Sequence, residues 1–160
     1  MRIVRSALLA GVLVLVGCGS SHGHSSVSRG ECSSLTAEDV AAVIHSTPRS
    51  RALAGLPGER HVCGTLFSGP SGEIVVAIEE RKGGAAAFAR LRRRDVAQYG
   101  QLQRISSLGK NAYAVGKRIA GFRRGDTIVR LESGFRSSGT GPVLTVAQLM
   151  RLAGTVASRL

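Results

Sequence analysis

The chain has 160 residues, a hydrophobic fraction of 43% and a formal net charge of +12 at pH 7. This length is enough for one domain with its own core and argues against several domains. None of the three cysteines forms a Cys-x-x-Cys pair, which excludes the common zinc and thioredoxin-type motifs.

The first residues have the order of a secretory signal. Arg2 and Arg5 form a basic segment, and the apolar run that follows is shorter than the roughly 20 residues that span a bilayer. Residues 15–18, Leu-Val-Gly-Cys, resemble the lipobox of bacterial lipoproteins. The resemblance implies cleavage between Gly17 and Cys18, a diacylglyceryl group on Cys18, and anchoring at the outer face of the cell membrane. An ordinary secretory signal with an incidental cysteine is the alternative.

The charge predicts anionic partners. Removal of residues 1–17 takes away two arginines and no acidic residue, so the mature chain stays strongly basic. Because the chain is predicted to be exported, nucleic acid is a poor candidate, and anionic phospholipid, a wall polymer or an envelope protein is a better one. Lysine occurs only at Lys82, Lys110 and Lys117. This bias towards arginine is typical of GC-rich actinobacterial genomes, so part of the charge can be compositional.

With Cys18 assigned to lipid, Cys32 and Cys63 remain as a pair in an oxidising compartment, and we predict that they form a disulfide. A closed loop of about 30 residues is worth roughly 3–4 kcal/mol in the chain-entropy model. Residues 19–30 are mostly Gly, Ser and His and cannot bury enough apolar surface to fold. We therefore predict a flexible tether over 18–31 and a single domain over 32–160.

The first half of the domain predicts a helix and a hairpin. Thr36 is placed as the N-cap of a helix, with Asp39 completing the capping box and Leu35 positioned to pack on Val40. A loop is expected over 49–58. Strands are expected over 60–67 and 73–80, joined by a Gly/Pro-rich turn.

Residues 85–99 predict a second helix. Phe88, Leu91, Val96 and Tyr99 recur at helical spacing and indicate its buried side. The other side is arginine-rich, and together with the preceding basic pair it forms a possible anionic-surface site, composed of Arg81, Lys82, Arg90, Arg93 and Arg94. Arg92 lies near the boundary. A merely solvated helix face is the alternative interpretation.

The second half of the domain predicts short strands over 102–106, 112–119 and 127–133, with a turn at 123–126. A mobile loop is expected over 134–142, and then a capping box at Thr145 and Gln148 begins the last helix. Its buried stripe is expected to comprise Val146, Leu149, Ala153, Val156 and Leu160.

The predicted fold is α+β, with an antiparallel sheet of about five strands covered by helices in the order α-β-β-α-β-β-β-α. Cys32 before a Leu-Thr-x-x-Asp-Val helix, Cys63 in the next strand and Leu-Gly-x-x-Ala-Tyr at 108–113 are similar to small actinobacterial lipoproteins of unknown function. That resemblance implies a PsbP-type α/β/α sandwich and supplies no catalytic residues. The chain departs from it in lacking tryptophan and in having Gly64 after the second cysteine.

We predict that the protein is not an enzyme and uses no metal or cofactor. Gly-x-Ser-x-Gly at 19–23 lies in the predicted tether, and Ser-x-x-Lys at 107–110 lies in a predicted turn without its partner motifs. His45 and His61 are the histidines of the predicted domain, and His22 and His24 belong to the tether. No nucleophile, base and orienting group can be assembled from these residues.

Two functional classes remain open. The first is a binding or accessory module of the cell envelope that takes a ligand between sheet and helices. The second is an interaction protein that docks on anionic membrane or wall polymers through the arginine-rich helix face.

Overall fold

The computed structural model describes residues 31–53, 62–134, 136 and 141–160. The lipobox with Cys18, the signal peptide and nearly all of the tether lie outside the described residues. So do His22, His24, His61 and the serine motif at 19–23.

The described chain forms three α-helices and seven strands around a single sheet. The helices are α1 (Ala37–Ile44), α2 (Ala85–Tyr99) and α3 (Val146–Arg159). The strands are β1 (Arg49–Ala52), β2 (Val62–Ser68), β3 (Ile74–Lys82), β4 (Leu102–Arg104), β5 (Tyr113–Val115), β6 (Ile119–Arg124) and β7 (Thr127–Ser133). A short 3-10 turn, Ser106–Leu108, follows β4. All pairings are antiparallel, in the order β1-β2-β3-β7-β6-β5-β4.

The α+β class is confirmed, but the predicted number and order of strands are wrong. Residues 49–52, predicted as a loop, form the edge strand β1. Arg-Ser-Arg-Ala has no apolar alternation that would indicate a strand, and its pairing comes from the ladder with β2. The single strand predicted over 112–119 is divided into β5 and β6. Gly116 and Lys117 both adopt left-handed φ values, 58° and 59°, and turn the chain between them.

The predicted turn at 123–126 is shorter than expected, because Arg123 and Arg124 belong to β6 and pair with Ile128 and Thr127. This hairpin turns at Gly125, where φ is 59°. Most of the predicted loop over 134–142 lies outside the described residues.

Both predicted capping boxes are confirmed. The Thr36 hydroxyl accepts from the Asp39 amide, and the Asp39 carboxylate accepts from the Thr36 amide. Thr145 and Gln148 repeat the arrangement at the start of α3. The bounds of α2 also agree with the prediction. In α3, however, the buried stripe differs from the prediction. Leu152 belongs to it. Leu160 does not, because the helix ends at Arg159 and Leu160 is 43% exposed.

The two faces of the sheet are covered differently. Helices α1 and α3 cover one face and enclose the larger core, which includes Val76, Ile78, Phe122, Val129, Leu131, Leu149 and Val156. Helix α2 lies on the opposite face over β5 and β6, where Phe88 and Leu91 pack against Tyr113, Val115 and Ile119. We call this second face the α2 side. No described helix covers β1, β2 and the first half of β3 on that side.

Candidate functional site

Three arginines of α2 face solvent on the side of the helix that points away from the sheet. Arg90, Arg93 and Arg94 are exposed, and their spacings of three and four residues place them on one helix face. Arg92 is partly buried, in agreement with its predicted position at the boundary. We call Arg90, Arg93 and Arg94 the basic face.

Lys82 does not join the basic face, whereas Arg81 lies on the α2 side of the sheet, opposite Ile128. Successive side chains of β3 point to opposite faces of the sheet, which places Lys82 on the face covered by α1 and α3. Lys82 Nζ lies 2.9 Å from Asp126 Oδ1, and Arg81 Nη2 lies 3.1 Å from Glu79 Oε1. Both cations have acidic partners on the strands and the hairpin turn rather than on α2 itself.

Asp95, the single acidic residue of α2, is fully buried against the sheet. Tyr113 donates a hydrogen bond of 2.6 Å to Asp95 Oδ2, and Arg130 Nε donates one of 3.1 Å to Asp95 Oδ1. The Tyr113 ring fits there because Gly121 lies opposite it in the sheet. As a result, all exposed charge on α2 is positive.

A second carboxylate ties the end of α2 to the sheet. Glu132 accepts from Arg130 Nη1 at 2.8 Å and pairs with Arg118 Nη2 at 2.7 Å. The Tyr99 hydroxyl donates to the same carboxylate at 3.1 Å, and the Arg118 guanidinium carbon lies 5.3 Å from the centre of the Tyr99 ring. These contacts fix the last turn of α2 over β7.

The electrostatics of this network keep its donors protonated. Burial raises the pKa of Tyr113, and the Asp95 carboxylate raises it further. Burial by itself lowers the pKa of Arg130, but the Asp95 and Glu132 carboxylates outweigh that effect and raise it. The network therefore acts as a clamp on α2, with a neutral phenol and a charged guanidinium as its fixed donors.

A groove of about 330 Å³ lies on the α2 side of the sheet. Its floor is apolar and is formed by Leu66 and Ala77, and Ile74, which is 43% exposed, lines its rim. The Arg118–Glu132 ion pair lines the groove as well. Because this ion pair also contacts the end of α2, the groove begins where α2 stops covering the sheet.

The strand register places two more arginines beside the groove. A row of side chains crosses the sheet from Arg51 through Leu66 and Ala77 to Glu132. Arg49 lies opposite Ser68, two residues from Arg51 and on the same face. Both arginines are exposed, and no ion pair of either is found in the part of the chain that the structure describes.

The predicted disulfide between Cys32 and Cys63 is confirmed, with a Cα–Cα distance of 5.1 Å. It ties the chain before α1 to β2, and the Cys32 amide donates to Thr65 Oγ1 at 2.8 Å. Glu80, which accepts a hydrogen bond from Ser34, lies with the two sulfurs in a cluster spanning 4.8 Å. Because the sulfurs are bonded to each other, neither is a thiolate ligand for a metal.

The described catalytic candidates lie apart from one another. His45 is exposed at the C-cap of α1, in a left-handed conformation with φ of 56°. Ser107 is exposed in the 3-10 turn that ends at Gly109. These two positions belong to different loops, and the structure brings neither into the network under α2.

Sequence reasoning missed Asp95 and the groove. Asp95 follows Phe88 by seven residues and Leu91 by four, so helical periodicity was a signal that it lies on the buried side. The groove had no local signal, because Arg51, Leu66 and Ala77 become neighbours only through strand register.

No protein-family model, curated protein or solved structure matches this chain. The α+β class, the seven-stranded sheet and the disulfide therefore rest on the structure itself, and the similarity to PsbP-type lipoproteins stays a prediction. Within the described ranges, every helix is too short or too polar to cross a membrane.

Proposed function

We propose that the protein is an exported lipoprotein, anchored through Cys18 to the outer face of the cell membrane, and that its domain is a non-catalytic binding or accessory module of the envelope. The module docks on anionic phosphate through the basic face of α2. The observation that carries this proposal is the separation of charge on α2, where three arginines are exposed and the one acid is buried.

The basic face does not serve the stability of α2. Gly84 provides no side-chain cap, the first turn holds no acidic residue, and the last turn holds no basic one. Like charges at spacings of three and four residues cost a helix about 0.2–0.5 kcal/mol per pair. The helix is held instead by its buried side, so an anionic surface would relieve repulsion among the arginines without disturbing the packing.

The anchor and the basic face complement each other energetically. Each arginine near an anionic membrane contributes about 1 kcal/mol, so three alone bind weakly. A tether over 18–31 would keep the domain within on the order of 40–50 Å of the membrane, at roughly 3.3–3.6 Å per residue. Tethering raises the effective concentration of the basic face at the surface and makes weak docking sufficient.

Sedimentation with vesicles tests the proposal. The probe is the mature chain with Cys18→Ala, and the vesicles contain equal parts of phosphatidylglycerol and phosphatidylcholine. Charge reversal at Arg90, Arg93 and Arg94 is expected to lower the bound fraction at least tenfold and to reduce the salt dependence of binding.

The matched control reverses three exposed cations elsewhere, Arg104, Lys110 and Arg151, and so changes the net charge equally. This control is expected to retain most of its binding. Equal loss in both variants would show a non-specific charge effect and contradict the assignment to α2, as would unchanged binding of the α2 variant. Retention by teichoic-acid-type wall polymer but not by vesicles would also overturn the membrane form of the proposal.

A further inference from the structure

We propose that the groove on the α2 side binds one acyl chain of an anionic phospholipid, with the lipid phosphate held by Arg49 and Arg51 of β1. This inference deepens the proposed function, on which it rests for the source of the lipid. It names a second site on the same side of the sheet as the basic face.

The first step is the uneven cover of the sheet. Helix α2 packs on β5 and β6, and its last turn is clamped at Glu132 through Tyr99. Beyond that point, Leu66 and Ala77 form an apolar floor with no described helix above them. Ile74 at the rim is 43% exposed, although it lies in a strand next to the core. Leu66 is already buried, so the gain from covering hydrocarbon, about 25 cal/mol for each Å² removed from water, comes from Ile74 and the partly exposed Ala77.

The second step is the size of the groove. A volume of about 330 Å³ is at the small end of the range found for ligand sites, roughly 300–1,000 Å³. This space suits one flexible chain and is too small for a folded partner. The groove is open to solvent on one side, so the rest of a lipid can stay in the membrane while one chain enters.

The third step is the charge around the groove. Arg118 and Glu132 neutralise each other on one side. Across the floor, Arg51 lies directly opposite Leu66, at a Cβ separation of about 4.5–5.5 Å for such a pair, and Arg49 lies opposite Ser68. Exposed arginines without described acidic partners give this rim a net positive charge, which complements a phosphate head group. A lipid with a neutral head group would form no ion pair with these arginines.

Binding is measured by isothermal titration of the mature Cys18→Ala chain with lysophosphatidylglycerol below its micelle concentration. Two further probes separate the head from the chain. Lysophosphatidylcholine of equal chain length has a zwitterionic head, and glycerol phosphate has no chain. We expect the anionic lysolipid to bind at least tenfold more tightly than either. Equal affinity of glycerol phosphate would show an ion site only, and equal affinity of the zwitterionic lipid would remove the role of the arginines.

Variants place the ligand in the groove. Ala77→Phe fills the floor and is expected to weaken binding at least tenfold, while Ala97→Phe on the exposed surface of α2 is the matched control. Ile74→Thr keeps a β-branched residue in an exposed strand position and is expected to weaken binding about threefold, so the test does not depend on the folding of Ala77→Phe. Arg49→Gln with Arg51→Gln is expected to lower the preference for the anionic lipid at least fivefold. Unchanged affinity in Ile74→Thr and in the folded Ala77→Phe variant would overturn the inference.

The experiment separates this inference from the proposed function. Charge reversal of Arg90, Arg93 and Arg94 is expected to lower vesicle docking at least tenfold and to leave the affinity for monomeric lysolipid unchanged. If that variant loses lysolipid binding while Ala77→Phe keeps it, the lipid binds at α2 and the assignment of the lipid site to the groove is wrong. Intact vesicle docking by Ala77→Phe without lysolipid binding would support two separate sites.

Discussion

Tyr113 on β5 donates a 2.6 Å hydrogen bond to Asp95 on α2, and so a buried phenol and a buried carboxylate join the arginine-rich helix to the sheet. Arg130 on β7 reaches the same carboxylate. The exposed basic face is thus positioned by a polar contact on the opposite side of the same helix. Since α2 has no side-chain N-cap and no acidic residue in its first turn, this clamp and the packing of Phe88 and Leu91 hold it in place.

Breaking the clamp is expected to destabilise the domain, and more so when a larger number of buried polar groups lose a partner. Tyr113→Phe should lower the free energy of unfolding by about 1–2 kcal/mol, since the Asp95 carboxylate keeps Arg130 as a partner. Asp95→Ala should cost about 3–4 kcal/mol, because it also leaves a largely buried guanidinium with one fewer carboxylate. Urea unfolding followed by circular dichroism measures both changes, and a smaller loss for Asp95→Ala than for Tyr113→Phe would contradict the clamp.

Gly121 is expected to tolerate no side chain. A Cβ built at Gly121 would lie 2.6 Å from the Tyr113 hydroxyl oxygen, so Gly121→Ala must displace the ring that reaches Asp95. We expect a loss of about 2–3 kcal/mol. The matched control is Gly154→Ala in α3, where no atom lies within 4 Å and the helix should gain about 0.5–1 kcal/mol. Thermal unfolding of the two variants should therefore shift in opposite directions.

Acid is expected to weaken the contact between the two ends of the domain. Burial raises the pKa of Asp39, but hydrogen bonds from Arg159 and Thr36 outweigh it and hold that pKa below its ordinary value of 3.8. A lowered native pKa stabilises the fold at every pH above the unfolded pKa, and this contribution is lost as pH falls through the native value. Asp39→Asn should therefore be less stable than the parent at pH 6, with the difference shrinking as the pH falls below 3.8. A difference that does not shrink on acidification would show that ionisation is not its origin.

The anchor has its own test, independent of the domain. Cys18→Ser is expected to give a folded, disulfide-bonded protein that no longer incorporates labelled palmitate and that loses its signal segment slowly. On Triton X-114 partitioning, the parent protein should enter the detergent phase, because its acyl chains contribute about 0.8 kcal/mol per buried methylene. The Cys18→Ser variant lacks these chains and should stay in the aqueous phase. Unchanged detergent partitioning would refute lipidation at Cys18 and indicate an ordinary secreted protein.

The elements that could be predicted are those whose signals are local. Thr36 with Asp39, and Thr145 with Gln148, lie three residues apart, so their capping boxes are visible in the chain itself. The spacing of Phe88 and Leu91 likewise indicated the buried side of α2. Strand β1 could not be predicted, because the polar run of residues 49–52 becomes a strand only when β2 supplies its hydrogen-bond partners.

By itself, the sequence determined the α+β class, the helix starts, the disulfide pair and the arginine-rich side of α2, because each follows from residue type and short spacing. The tertiary structure alone decided two of the seven strands, the clamp on Asp95, and the separation of Lys82 from the basic face. It also decided the groove, whose floor brings Leu66 and Ala77 together with Arg51 across three strands. Strand register and sheet order are set by the packing of the whole chain, so long-range contacts of this kind carry no signature in any short stretch of sequence.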